Sequence, residues 1–239
     1  MQDISAVKTS SQFPARRLAV VVAILCLQGL PAAAQPAEAG DFRAPDLVEL
    51  SRLDATLHLD IRYATANNFT GRKQYAEARA FLQRPAAEAM VRANRALKLQ
   101  GYGLLVFDGY RPWSVTRAFW EVTPPDKRKF VADPQKGSRH NRGCAVDVGL
   151  YQLRSGKEVA MPSAFDEMSD RAAADYQGGT AEQRRTRALL RQALEREGFK
   201  VNPDEWWHFD YQDWRLYHVL DLPFFAIHAS PRAPDAGPP

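Results

Sequence analysis

Cysteine is nearly absent: the 239 residues include only Cys26 and Cys144. A disulfide scaffold is therefore excluded. Glycine shows no period of three and apolar residues keep no sustained heptad, which excludes collagen-like and coiled-coil chains. A one-sided charge is missing too. The 32 Lys+Arg face 28 Asp+Glu and are spread along the chain, so no nucleic-acid partner is implied. The apolar run at 18–30, LAVVVAILCLQGL, has 13 residues, short of the roughly 20 that a membrane-spanning helix needs. What is present is ordinary globular composition, 45% hydrophobic, 25% charged and 10% aromatic, enough for one substantial core.

Arg16 and Arg17 precede that apolar run, and Pro31 with Ala32, Ala33 and Ala34 follows it. This is the pattern of a secretory signal peptide over residues 1–34. A membrane anchor is the alternative, and the shortness of the run argues against it. Lys8, Arg16 and Arg17 against Asp3 give this segment +2 of the chain's +4, so the exported part is close to neutral. Export leaves Cys144 as a lone thiol between Gly143 and Ala145, read as a small buried residue rather than a nucleophile. Residues 35–45 (QPAEAGDFRAP) read as a linker. Residues 46–228 form one domain, and 229–239, with four prolines, a disordered tail.

Within the domain, Pro85 opens a helix with Met90, Val91, Asn94 and Leu97 on one face and Gly101 beyond its end. Residues 102–110 (YGLLVFDGY) read as a buried strand reaching a turn. Pro112 starts a second helix whose inward stripe is Val115, Phe119 and Val122, and 143–150 is a further strand. Thr180 and Gln183 form a capping box before a helix ended by Gly198. Leu190, Ala193 and Leu194 face inward on that helix, and its arginines form a solvated face. FKV and WWHFDY are the last strands. Strands and helices mix without a βαβ rhythm, which points to an α+β fold, a mostly antiparallel sheet flanked by helices.

Chemistry concentrates in three clusters. His140 and Asp147 can share one ion only if the chain turns between them, and Asn141-Arg142-Gly143 supplies a turn. An imidazole and a carboxylate so placed suit zinc. His208 is a candidate third ligand, leaving one position for water, as in catalytic zinc sites. Glu205, three residues earlier, could take a proton from that water without binding the metal. Trp206 and Trp207 read as packing that dries the site. Arg111, in DGYRP, could stabilise charge on a carbonyl oxygen; the alternative is an arginine paired with a neighbouring aspartate.

Together these clusters resemble a known family. SxHxxGxAxD is matched by Ser138, His140, Gly143, Ala145 and Asp147, and ExxH by Glu205 and His208. With DGYRP at 108–112 and RYATANNFTG at 62–71, the sequence resembles zinc D-alanyl-D-alanine dipeptidases of the VanX type over about 47–211. The resemblance implies a compact α+β domain with one Zn2+ per chain, held by His140, Asp147 and His208. It implies Glu205 as general base and Arg111 as oxyanion stabiliser. Tyr63 and Asp166 match positions that hold the free amino end of a dipeptide, and Ser138 matches a residue lining the site. The implied reaction is hydrolysis of D-Ala-D-Ala to two D-alanines. The familiar relatives are cytosolic, whereas this chain carries an export signal, so a periplasmic role in wall turnover is expected. Two rival readings remain: a periplasmic D,D-carboxypeptidase acting on peptidoglycan peptides, and a non-enzymatic wall-binding module. Neither Glu205 nor Arg111 is needed by the latter.

Overall fold

In chain order the elements are β1 (Leu47–Glu49), α1 (Leu50–Leu53), β2 (His58–Leu59), β3 (Phe81–Gln83), α2 (Arg84–Lys98), β4 (Tyr102–Asp108), α3 (Trp113–Val122), β5 (Ala145–Gln152), α4 (Ala181–Glu195), β6 (Phe199–Asn202) and β7 (Glu205–Tyr211). They come from a computed structural model that describes residues 34–227. The expected signal peptide up to residue 33, the expected tail and His228 lie outside the described residues. Among the described residues, no helix is long and apolar enough to cross a membrane.

Five strands form one sheet in the order β2-β4-β5-β7-β6, and β1 pairs with β3 in a second, two-stranded sheet. All pairings are antiparallel except β2 with β4, so the mixed α+β expectation holds. The helices α2 and α4 pack against each other and against this sheet. α2 buries Ala86, Met90, Ala93, Asn94 and Leu97, while Val91 lies at the rim of that face. Asn94 is tolerated inside because it is satisfied: its Oδ1 accepts from the Leu104 amide at 2.9 Å and its Nδ2 donates to Asp54 at 2.9 Å.

Two helix faces differ from expectation. α3 turns Trp113, Thr116 and Phe119 inward, and Val122 is 54% exposed because the helix ends there and its last turn points away. On α4 the capping box forms as expected and Leu190, Ala193 and Leu194 are buried. Arg187, however, is buried rather than solvated, since its guanidinium donates to the carbonyls of Ala173 (3.3 Å) and Tyr176 (2.9 Å).

Irregularities in the sheet shape the site. β4 stops at Asp108, short of 110, with a register shift against β5 between Val106 and Asp108. The chain then passes so close to β3 that a Cβ on Gly109 would meet the Phe81 carbonyl at 2.7 Å. The expected turn at 141–143 is a 3-10 turn over His140–Arg142, closed by Gly143 at φ 68°, a left-handed conformation that suits glycine. β7 is irregular as well. Val201 pairs with Phe209 but Asn202 pairs with Glu205, so Trp206, Trp207 and His208 have no β6 partner.

Candidate active site

Asp147 of β5 and His208 of β7 are direct cross-strand partners, which sets their side chains on the same face of the sheet. His140 arrives from the turn before β5. His140 Nε2 and His208 Nδ1 are 3.1 Å apart, and Asp147 Oδ1 lies 3.1 Å from His208 Nδ1 and 3.3 Å from His140 Nε2. Donors held at 2.0–2.1 Å in tetrahedral zinc geometry are about 3.3 Å apart. The three atoms thus form a triangle of nearly that edge.

The outer hydrogen bonds fix what these atoms present. His140 Nδ1 faces the Gly109 carbonyl at 2.7 Å, so it must carry the N–H and leave Nε2 as a lone pair. His208 Nε2 faces Asp210 Oδ1 at 3.0 Å, which likewise leaves Nδ1 facing inward as a lone pair. Two lone pairs and a carboxylate converging within 3.3 Å demand a cation. The ionisation behaviour of the bare chain agrees. Burial pulls the His208 imidazole down, yet Asp147 and Asp210 carry it up to about 10. Burial also opposes the Asp147 charge, and His140 and His208 hold that carboxyl well below the usual range. The set fits zinc, and it is the one such group of His, Cys, Asp or Glu among the described residues.

Glu205 and His208 stand three apart on a strand, and in a regular strand they would face opposite ways. The irregular register of β7 brings both to the cavity, with Glu205 Oε2 3.8 Å from His208 Nδ1. Asn202 Nδ2 donates to Glu205 Oε2 at 2.9 Å and orients it. Burial raises the Glu205 carboxyl to about 7, with His208 acting against and Asp147 adding to it. Arg111 is paired with a neighbouring aspartate, as one of its two readings had it, and it also lines the cavity. Its Nε and Nη2 reach Asp108 Oδ2 at 2.9 and 2.8 Å, and Nη2 is also 3.6 Å from Asp147 Oδ2. Asp108 is held in turn by the Tyr75 hydroxyl at 2.8 Å and the Gly109 amide at 2.9 Å. The Arg111 guanidinium lies over the Phe119 ring at 4.7 Å.

Tyr63 and Asp166, 103 residues apart, meet at the other side of the cavity: the Tyr63 hydroxyl donates to Asp166 Oδ1 at 2.9 Å. Asp166 Oδ2 is buried and has no hydrogen-bond partner. Its backbone has φ 62°, the one non-glycine residue of positive φ described. Burial pushes its carboxyl up to about 8, Asp147 adds to this, and Tyr63 and Arg111 oppose it. Phe165 anchors the segment, stacked on Phe107 at 4.6 Å and edge-on to Trp207 at 5.5 Å. Ser138 also lines the cavity, and its Oγ accepts from the His140 amide at 3.2 Å. All eight residues expected at the site line one cavity of about 240 Å³, smaller than the roughly 300–1,000 Å³ of pockets for drug-sized ligands.

Sequence reasoning missed Asp210, Asn202 and the Asp108–Tyr75 support. Asp210 was findable, since residues two apart on a strand share a face. The Gly109 carbonyl left no signal, because any residue supplies one. Trp206 is packing, its Nε1 donating to Ser163 at 2.9 Å, whereas Trp207 lines the cavity. Cys144 is fully buried with its thiol pushed up to about 12, mainly by burial, as befits a small core residue.

A family model described as D-ala-D-ala dipeptidase, of the M15 peptidases, matches residues 43–228. The D-alanyl-D-alanine dipeptidase of Escherichia coli K12 is 32% identical over 175 residues, covering 73% of this chain and 89% of that protein. The one from Enterococcus faecalis is 34% identical over 193 residues, covering 72% and 92%. Among solved structures, the LD-carboxypeptidase LdcB aligns at 19% identity and a TM-score of 0.39, covering 72% of this chain and 71% of that one. With a family match across nearly the whole described unit, the chain belongs to the zinc-dependent M15 peptidases of the D-Ala-D-Ala dipeptidase family.

Proposed function

We propose that this protein hydrolyses the free dipeptide D-Ala-D-Ala to two molecules of D-alanine in the periplasm. The observation that carries the substrate choice is the Asp166 carboxylate, buried with Oδ2 unpartnered and braced by Tyr63. A buried acceptor aimed into a small cavity is matched by an ammonium, and a dipeptide with a free amino end brings one. Longer wall peptides continue as chain at that point and would leave the carboxylate unpaired.

Zinc, held by His140, Asp147 and His208, supplies Lewis-acid chemistry at this point of the cavity. Glu205 Oε2, oriented by Asn202, takes the proton of the attacking water as its oxygen bonds to the peptide carbon. The same carboxyl then delivers that proton to the departing amine nitrogen as the C–N bond breaks. Arg111, fixed by Asp108, offers its charge to the carbonyl oxygen as that oxygen becomes negative. Trp207 and Phe119 line the site and limit water, and Phe165 packs edge-on against Trp207 behind them.

Export is supported by Arg16-Arg17, the apolar run at 18–30 and the three alanines at 32–34. Dipeptide released from peptidoglycan turnover is the substrate pool such a location offers. The test is D-alanine release from D-Ala-D-Ala and from a wall pentapeptide, before chelation, after it and after zinc is restored, using chain recovered from the periplasmic fraction. Zinc-dependent cleavage confined to the dipeptide supports the reading. Preferential trimming of the pentapeptide would replace it with a D,D-carboxypeptidase.

A further inference from the structure

Residues 35–45 read in sequence as a linker, yet the folded chain ties this segment to the body. Gln35 Nε2 donates to the Val219 carbonyl at 2.7 Å, and the Arg43 amide donates to the Leu216 carbonyl at 2.8 Å. Between them Glu38 uses both carboxylate oxygens. Oε2 accepts from the Val219 amide at 2.6 Å, and Oε1 pairs with the Arg142 guanidinium. The Arg142 side chain is only 9% exposed, and Glu38 is the carboxylate paired with it among the described residues.

Arg142 is the last residue of the 3-10 turn that begins at His140. Its Nη1 donates to the Tyr217 carbonyl at 2.5 Å, and the Leu220 amide donates to the Asn141 carbonyl at 2.9 Å. The segment 217–220 therefore packs along the turn, and Glu38 holds both of them, one through each oxygen. A buried guanidinium that loses its carboxylate is poorly tolerated and tends to swing toward water. Doing so here would pull on the backbone two residues from His140, where zinc geometry tolerates only a few tenths of an ångström.

We propose that Glu38 is a positioning residue for the metal centre, acting through Arg142 on the turn that presents His140. This rests on the reading of His140 as a zinc ligand. The strap at 35–43 is then part of the working enzyme, and processing must cut before Glu38. A cut after Ala34 meets that condition, since Gln35 already lies docked against Val219.

The test measures zinc affinity by chelator competition, and the visible spectrum after cobalt substitution, for the exported chain and three variants. Partners outside the ligand set are commonly worth 10–100-fold in metal affinity. Glu38→Ala should therefore weaken zinc about 10–100-fold and shift the cobalt bands. Glu38→Gln, which keeps the shape but loses the charge, should move both readouts the same way by less. Arg92→Ala, on α2 with its half-exposed side chain paired with Glu197, should match the wild type. Wild-type affinity and spectrum in folded Glu38→Ala overturn the proposal, and Glu38→Gln decides by the same criteria should Glu38→Ala not fold. Wild-type protein without a stoichiometric zinc site would instead remove the His140 assignment, and this proposal with it.

Discussion

Replacing Asp166 by asparagine should damage function and improve stability at once. The residue sits at φ 62°, where asparagine is tolerated and alanine is strained, so Asp166→Asn keeps the backbone while removing the charge. An amide whose oxygen still accepts from Tyr63 turns its NH2 toward the place where the substrate ammonium would lie. Losing one hydrogen bond to a charged group costs about 1.5–3 kcal/mol, or roughly 10–10²-fold in kcat/KM, carried mainly by KM because ground and transition states lose it alike. Stability moves the other way. The unfolded carboxyl ionises near 3.8 and the folded one only at about 8, so the wild type loses stability as pH rises between these values and is lowest above 8. Four pH units set a ceiling of about 5 kcal/mol, of which roughly half is expected, because the residue as a whole is only half-buried. Urea unfolding of the metal-free proteins should therefore show Asp166→Asn more stable by about 2–3 kcal/mol at pH 8, with the gap narrowing toward pH 5. A less stable variant at pH 8, or one that cleaves the free dipeptide at the wild-type rate, would refute the reasoning.

Three further outcomes follow from the site. His140→Ala and His208→Ala should each lose zinc and activity together, because two remaining ligands hold zinc poorly; metal analysis of the purified variants checks this. Glu205→Gln should keep zinc while kcat falls about 10²–10⁴-fold. In the wild type, kcat/KM should climb with pH as Glu205 loses its proton near 7, and in the residual activity of the variant only the later rise near 8, from Asp166, should remain. Arg111→Ala should slow free and acylated dipeptides by the same factor, since the developing oxyanion is common to both, and steady-state kinetics with the two substrates measures the factors.

Local features of the site were legible in the sequence and long-range ones were not. Gly143 after His140-Asn141-Arg142 announced the turn, and it is there. The capping box of α4 needed only residues three apart. By contrast, nothing local places His208 opposite Asp147, because the two are 61 positions apart and their register depends on the chain between them folding first. Glu205 and His208 face one cavity only through a break in the β6–β7 ladder, which strand periodicity argues against. Tyr63 and Asp166 came from family resemblance alone; their hydrogen bond and the unpartnered oxygen are tertiary facts. Composition made 35–45 a linker, but a short polar segment can be fixed by a few charged contacts, and Glu38 makes two.

An amino-end pocket formed by Tyr63 and Asp166 is what makes this a dipeptidase rather than a carboxypeptidase. The most direct test is the ratio of kcat/KM for D-Ala-D-Ala and N-acetyl-D-Ala-D-Ala with the zinc-loaded wild-type protein. Acylation removes the ammonium, and because burial lets the Asp166 carboxyl keep its proton up to about pH 8, the loss is one hydrogen bond to a charged group, about 1.5–3 kcal/mol, so kcat/KM should favour the free dipeptide roughly 10–10²-fold. Equal rates for the two would contradict it.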